Sequence, residues 1–390
     1  MSYKIKVLPE DFIVSEVASI GPSGEGDFSL YLLKKWNLTT WEALGNIAKK
    51  WRIPLKHFGY GGLKDKKAIS YQYITIKNGP KKDLKEKNFE LLYLGKTKEP
   101  MNKEKLEGNT FEIRVRDVEI EEEDLKREIE KVQNYGLPNY FDEQRFSSVK
   151  ESKTFPVKEI IMGNYEKALY LILAYSSFDE IHKSHELREC LKNNWRKWEN
   201  CLSLAKLKWE RELLNFLIHH KPSQRTFKRA LHLLDQEFLF FLGNVYQSFL
   251  WNEVLKEVLA YLNLAHFKIP FLWGELYFYK TLTPEEKDLL KNLKIPFPSP
   301  KIYIEDTLKL PLRTLYLKVL QREGFSDFKN LRTFIKGLVF KTYPRPVLLF
   351  PKNLEYSKEG ERNYVIKFFL EKASFATLVI KRLFYVNSSS

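Results

Sequence analysis

Hydrophobic and polar residues alternate in short runs along the first part of the chain. Residues 12–16, 28–33, 71–76 and 111–115 carry β-branched or aromatic side chains at period two, which predicts strands. Between them, residues 41–51 place Leu44, Ile47 and Ala48 at helical spacing, with Thr40 as the expected N-cap. From about residue 155 to 260 the period lengthens to that of long helices with few turn residues, as over 204–219 and 226–259. Alternation returns at 347–350 and 364–370, and a helix is expected over 375–384. The expected fold class is α+β: a mixed or antiparallel sheet domain built from residues 1–154 and 336–390, interrupted by a mostly helical insertion over 155–335. No internal repeat is visible, and no low-complexity segment is longer than the three serines at 388–390.

A chain of 390 residues with 44% hydrophobic content fits two cores more comfortably than one. The longest unbroken apolar run, residues 168–175, is far short of the ~20 residues a membrane helix needs. Residues 1–10 hold no apolar signal core, so no membrane association and a cytoplasmic location are expected. Sixty-five Lys and Arg against fifty Asp and Glu give a net charge of +15, which favours polyanions and nucleic acid first among them. The same lysine- and glutamate-rich surface also suits a heat-adapted protein. Residues 181–230 concentrate the excess, with twelve cations against five anions and Trp195, Trp198 and Trp209 interleaved. That pattern suits contact with an RNA backbone, with most of these tryptophans in the core. Cys190 and Cys201 form no CxxC pair and have no zinc-ligand neighbours, so neither a disulfide nor a zinc site is expected. His182 and His185 are three apart without further ligands, and no metal is assigned.

Two phosphate-binding patterns fail on inspection. Gly95-Lys96-Thr97 ends like a P-loop, but Glu90 stands where the leading glycine belongs, and Gly21, Gly24 and Gly26 have the wrong spacing for a dinucleotide fingerprint. The most informative stretch runs from Tyr60 to Gln72, where Asp65 sits among Lys64, Lys66 and Lys67, after Gly61-Gly62 and before a strand. An aspartate in a basic turn is most often a solvated loop residue. Nearby positive charge would also keep it ionised, as a nucleophile or base must be, and would attract phosphate.

Gly62-Leu63-Lys64-Asp65-Lys66 with Ala68, Ser70 and Gln72 resembles the signature of the TruD family of tRNA pseudouridine synthases. Further blocks resemble the family in order: Lys6 with Pro9-Glu10-Asp11-Phe12-Ile13-Val14, then Gly108-Asn109-Thr110-Phe111, then Gly136 to Phe146, and Ser374-Phe375-Ala376-Thr377. The insertion matches more weakly, through Tyr246 to Asn252. Ser70 stands where the family usually has Thr, and Asp142 and Ser147 stand where glycines are common.

The resemblance implies a pseudouridine synthase catalytic domain that isomerises uridine in tRNA, with uridine 13 of the D-arm as the expected target. It assigns the catalytic carboxylate to Asp65, stacking on the uracil to Phe111, a hydrogen bond near Asp65 or the base to Asn109, and positive charge to Lys6 and Lys64. Phe12, Gln144 and Arg145 join them as expected substrate-binding residues, with the last two able to contact RNA or brace the site. The isomerisation calls for no cofactor and no metal. The partner implied is structured RNA, bound by a monomer without a protein partner, with the helical insertion as a clamp on the RNA. The competing readings are an RNA-binding or RNA-folding protein of the same fold, pseudouridylation at another RNA site, and a protein that is basic for solubility alone.

Overall fold

A computed structural model describes residues 3–175 and 185–385. The chain divides into two compact units, residues 1–137 with 349–390 and residues 138–348. Among the described residues no helix is long and apolar enough to cross a membrane.

The first unit is organised by one nine-stranded mixed sheet. Its elements are β1 (Phe12–Ala18), β2 (Phe28–Lys35), α1 (Thr40–Trp51), β3 (Phe58–Tyr60), β4 (Ile69–Lys77), β5 (Leu84–Glu86), β6 (Phe89–Thr97), β7 (Leu106–Val115), α2 (Glu122–Tyr135), β8 (Lys352–Lys358), β9 (Tyr364–Glu371) and α3 (Ala376–Phe384). The strand order is β8-β9-β7-β1-β4-β2-β6-β5, with β3 also paired to β4. The β1–β4 pairing is parallel, with Val14 opposite Ser70, and the other pairings are antiparallel. The two C-terminal strands thus complete a sheet begun by the N-terminal part of the chain.

Period-two burial sorts the strands into two faces. One face carries Tyr31, Leu33, Ile74 and Leu91, on which Ala43, Leu44 and Ile47 of α1 pack. Register places Val14 opposite Phe111, and Phe111 opposite Phe368, so this face continues across β1, β7 and β9. Helix α3 meets it through Phe384, whose ring lies 6.3 Å from that of Tyr364. Helix α1 starts one residue earlier than the periodicity predicts. Thr39 is its N-cap, in a reciprocal capping box with Glu42.

The second unit is built around the 26-residue helix Gln236–Tyr261, which is apolar nearly all round and buries Tyr246, Leu250, Trp251, Val254 and Val258. The single helical run expected over 226–259 is two helices. Gln224–Leu231 ends, and the Asp235 side chain then caps the long helix by accepting from the Phe238 N–H. The polar members of the long helix's motif fasten neighbouring segments. Asn252 both accepts from the Phe141 N–H and donates to its carbonyl at 2.9 Å, and Gln247 donates to the carbonyls of Pro298 and Lys341. Trp251 donates to the Ile295 carbonyl and packs edge-on against Phe141.

The expectation about cysteine is overturned: Cys190 and Cys201 form a disulfide. Cys190 lies on helix His185–Asn193 and Cys201 on the 3-10 turn Trp198–Leu204, with Arg196 at φ 69° in the turn between them. A helix followed by a tight turn brings the two cysteines together from a spacing that CxxC arithmetic does not flag. Trp198 of this segment is buried, and Trp195 packs 4.9 Å from Tyr170 and donates to Glu166. His182 and the start of the basic stretch, residues 181–184, lie outside the described residues.

Candidate active site

The loop from Gly61 to Ala68 links β3 to β4, and its backbone is held from below by side chains of three neighbouring elements. Lys64 N–H donates to Thr40 Oγ1 at 2.9 Å, and Gln72 Nε2 donates to the Gly62 carbonyl at 3.3 Å. Thr40 Oγ1 in turn donates to Gln72 Oε1 at 3.0 Å, so helix α1 and strand β4 grip the loop together. Lys35, at the end of β2, donates from Nζ to the carbonyls of Leu38, Lys64 and Asp65. Burial pushes the Lys35 ammonium down to about 8.

Asp65 carries its carboxylate on this loop, with 27% of the side chain exposed, and Lys6 Nζ pairs with its Oδ2. Lys6 has a left-handed backbone at φ 57°, uncommon for a residue with a side chain. Its segment is pinned on both sides. Lys4 bridges to Arg116, and the 3-10 turn Pro9–Asp11 is locked by Asp11, which accepts from the Leu8 N–H and from two nitrogens of Arg116. Burial would raise the Asp11 carboxyl, but Arg116 and the Leu8 N–H outweigh it and hold it below the usual range. The Lys6 ammonium also lies 4.2 Å over the Phe12 ring.

Lys64 turns away from solvent. Its ammonium pairs with Glu16 of β1 at 2.5 Å, with side chains 8% and 0% exposed. Burial pushes the Glu16 carboxyl up, against the pull of Lys64 and of the Tyr73 N–H that it accepts. Opposite Glu16 on β7 stands Asn109, whose Oδ1 is buried without a hydrogen-bond partner. Two residues on, and on the same face, the Phe111 ring lies edge-on to Phe12 at 6.1 Å and stacks near Phe368 at 5.5 Å. Gly108 before them must be glycine, because a Cβ there would collide with the Leu370 carbonyl and the Phe369 ring.

Lys6, Phe12, Lys64, Asp65, Asn109 and Phe111 all belong to the sheet unit. Gln144 and Arg145 belong to the second unit, where Gln144 is exposed and Arg145 donates from Nε to Ser248 Oγ at 3.0 Å. Burial lowers the Arg145 pKa. Nearby, Arg345 donates to the carbonyl and Oδ1 of Asn139 and lies 4.1 Å over the Phe141 ring, and burial brings its guanidinium down to about 9. At Asp142 the backbone has φ −91° and ψ 173°, a region open to any residue, so aspartate sits there without strain. Reasoning from sequence missed Lys35, Glu16, Thr40 and Arg345 as supports of these segments.

A mixed sheet with a braced, lysine-paired aspartate loop beside an aromatic strand fits the α+β fold of the pseudouridine synthases. Known proteins narrow the class. The pattern of tRNA pseudouridine synthase D (TruD) matches residues 1–268. The chain is 32% identical to the tRNA pseudouridine synthase D of Aquifex aeolicus over 98% of both chains. It is 34% identical to a Methanocaldococcus jannaschii protein assigned as tRNA pseudouridine synthase D 2, over 98% of this chain and 91% of that one. A crystal structure of a Methanosarcina mazei chain assigned as tRNA pseudouridine synthase D superposes with a TM-score of 0.70 at 25% identity, covering 98% of this chain and 94% of that one. The chain belongs to the tRNA pseudouridine synthase D family.

Proposed function

We propose that this protein converts uridine to pseudouridine in tRNA, at uridine 13 of the D-arm, with Asp65 as the catalytic carboxylate. The observation that carries the reading is the Lys6–Asp65 pair on a loop braced by Lys35, Thr40 and Gln72. The reaction is an isomerisation. The bond from ribose C1′ to uracil N1 breaks, the base turns in place, C1′ joins C5, and the proton leaving C5 is balanced by one gained at N1. The protein must supply a carboxylate beside the ribose, a surface that keeps the detached base, and exclusion of water.

Asp65 supplies the first, held in one orientation by Lys6. The aromatic strip of Phe12, Phe111 and Phe368 supplies the second, with uracil stacking at the Phe111 ring. Asn109 Oδ1, an acceptor without a partner, suits a donor on the base such as the uracil N3–H. The target nucleotide leaves its stack to reach them, and the surplus of cations meets the phosphates. We assign the inserted unit to RNA contact, with the exposed Gln144 touching the RNA and Arg145 bracing its segment through Ser248, and expect a cytoplasmic monomer.

The test is to incubate wild type and Asp65→Ala with unmodified tRNA transcript and map pseudouridine at single-nucleotide resolution. Wild type should modify one position, and Asp65→Ala should be slower by at least about a thousandfold at similar affinity. Modification at another nucleotide corrects the target. Tight, salt-sensitive binding with no modification by wild type replaces this reading with that of an RNA-binding protein.

A further inference from the structure

Lys35 is the last residue of β2, and it is fully buried beneath the Asp65 loop. Its ammonium faces three backbone carbonyls, those of Leu38 at 2.8 Å, Lys64 at 3.3 Å and Asp65 at 2.9 Å. An ammonium offers three N–H donors and no acceptor, so donors and carbonyls match one for one. We propose that Lys35 is a positioning residue for the reaction, its protonated ammonium clamping the Lys64 and Asp65 carbonyls against β2 and so fixing where the Asp65 carboxylate points. The inference rests on Asp65 being the catalytic carboxylate.

The clamp depends on a proton. A neutral amine keeps two donors and gains a lone pair, which leaves one buried carbonyl without its partner and sets the lone pair against an oxygen. The charged groups facing the ammonium are Asp65 and Lys64 of the loop and Glu42 of α1. Burial outweighs the attraction of Asp65 and Glu42, with Lys64 pushing the same way as burial, and the proton is released at about 8. Stability moves in the opposite sense. The folded value lies below the ordinary 10.5, so across that interval the unfolded chain binds the extra proton and this group adds to stability as pH rises. An alkaline loss of activity that originates at Lys35 therefore carries no fall in melting temperature from this group, whereas a loss caused by unfolding does.

The experiment measures single-turnover rates on tRNA transcript with enzyme in excess, between about pH 6.5 and about pH 9.5, for wild type, Lys35→Arg and Lys35→Met. Melting temperature, tRNA affinity and amide exchange of residues 62–66 are followed at each pH. Wild type should lose about tenfold in rate for each pH unit above a midpoint near 8, with affinity changed by less than about threefold. Lys35→Arg should stay flat, because a guanidinium keeps its charge in this range. Lys35→Met should be at least about tenfold slower and also flat. Loop amides in wild type, corrected for intrinsic exchange, should open through the same midpoint, and those in Lys35→Arg should not. A wild-type rate that is level across the range, or a limb that persists in Lys35→Arg, overturns the proposal. The exchange measurement needs no catalysis. A protein that makes no pseudouridine at any pH yet shows the loop transition disproves the pseudouridine reading and keeps the clamp, and absence of the transition disproves the clamp.

Discussion

In the sheet unit three buried polar side chains converge on one loop, whereas in the helical unit Gln247, Trp251 and Asn252 lie along one helix and fasten several segments. Lys35, Thr40 and Gln72 all bond to the backbone between Gly62 and Asp65. Gln247, Trp251 and Asn252 bond to Pro298, Lys341, Ile295 and Phe141. Both arrangements hold irregular backbone by meeting its buried carbonyls, which otherwise cost stability. They differ in charge. The loop of Asp65 is surrounded by Lys6, Lys35, Lys64 and Glu16, groups whose desolvation is costly and whose fields act on the carboxylate. The three fastenings of the long helix are uncharged and lie among Phe141, Phe297 and Trp251, where burial itself stabilises, and the buried charge against these rings is the Arg345 guanidinium over Phe141. One region buries costly charge around the Asp65 loop, and the other supplies stability through buried aromatic surface.

The largest stability effect should come from the aromatic side of that contrast. Trp251→Ala removes a fully buried indole and its bond to the Ile295 carbonyl, and should destabilise by about 3–5 kcal/mol. Hydrogen exchange gives the sharper reading: protection should fall across residues 138–348 and persist in β1, β4 and β7. Loss of protection in both regions would mean that the two cores are not separate sources of stability.

Next comes the disulfide. Cys190 and Cys201 close a loop spanning eleven positions, so reduction or Cys201→Ser should cost about 2–3 kcal/mol in the helical unit. Chemical denaturation with and without reductant measures it. Identical curves would show that the two thiols are not joined in solution.

Much of the fold is legible in the sequence because period-two alternation survives wherever a strand has one covered face, as in residues 12–16 and 71–76. The strand over 28–33 is the instructive case. Polarity ends the alternation at Lys34, yet β2 runs on to Lys35, whose charge is buried because a loop thirty residues further along supplies its acceptors. No local pattern contains that information. The start of α1 was decidable, since Thr39 has a glutamate three residues on and Thr40 does not. Asp235 similarly marked the break in the long helical run. Asp65, Asn109 and Phe111 stand out through the resemblance of their motifs, and composition alone would leave Asp65 a solvated turn residue. Glu16 carries no signal in sequence and Lys64 is expected to offer its charge to the site, whereas the structure pairs the two, joining β1 to the loop that leads into its parallel neighbour β4.

The smallest expected effect is also the most discriminating, because the two units hold matched capping boxes. Thr39 accepts from the Glu42 N–H at 3.1 Å while Glu42 accepts from the Thr39 N–H at 2.7 Å. Thr283 and Glu286 do the same in the helical unit at 3.2 and 2.7 Å. Thr39→Ala and Thr283→Ala should each cost about 1 kcal/mol, measured by denaturation. Their effects on rate should part. The first turn of α1 carries Thr40, which receives the Lys64 N–H, and Glu42, which pairs with Lys66 at 3.2 Å. Fraying that turn loosens both ends of the Asp65 position, so Thr39→Ala should slow single-turnover pseudouridylation by about threefold to tenfold. Thr283→Ala, with the same cap removed and no bond to that loop, should leave the rate unchanged. Equal slowing by both variants would show that rate follows global stability, and the division between an orienting region and a stabilising one would fail.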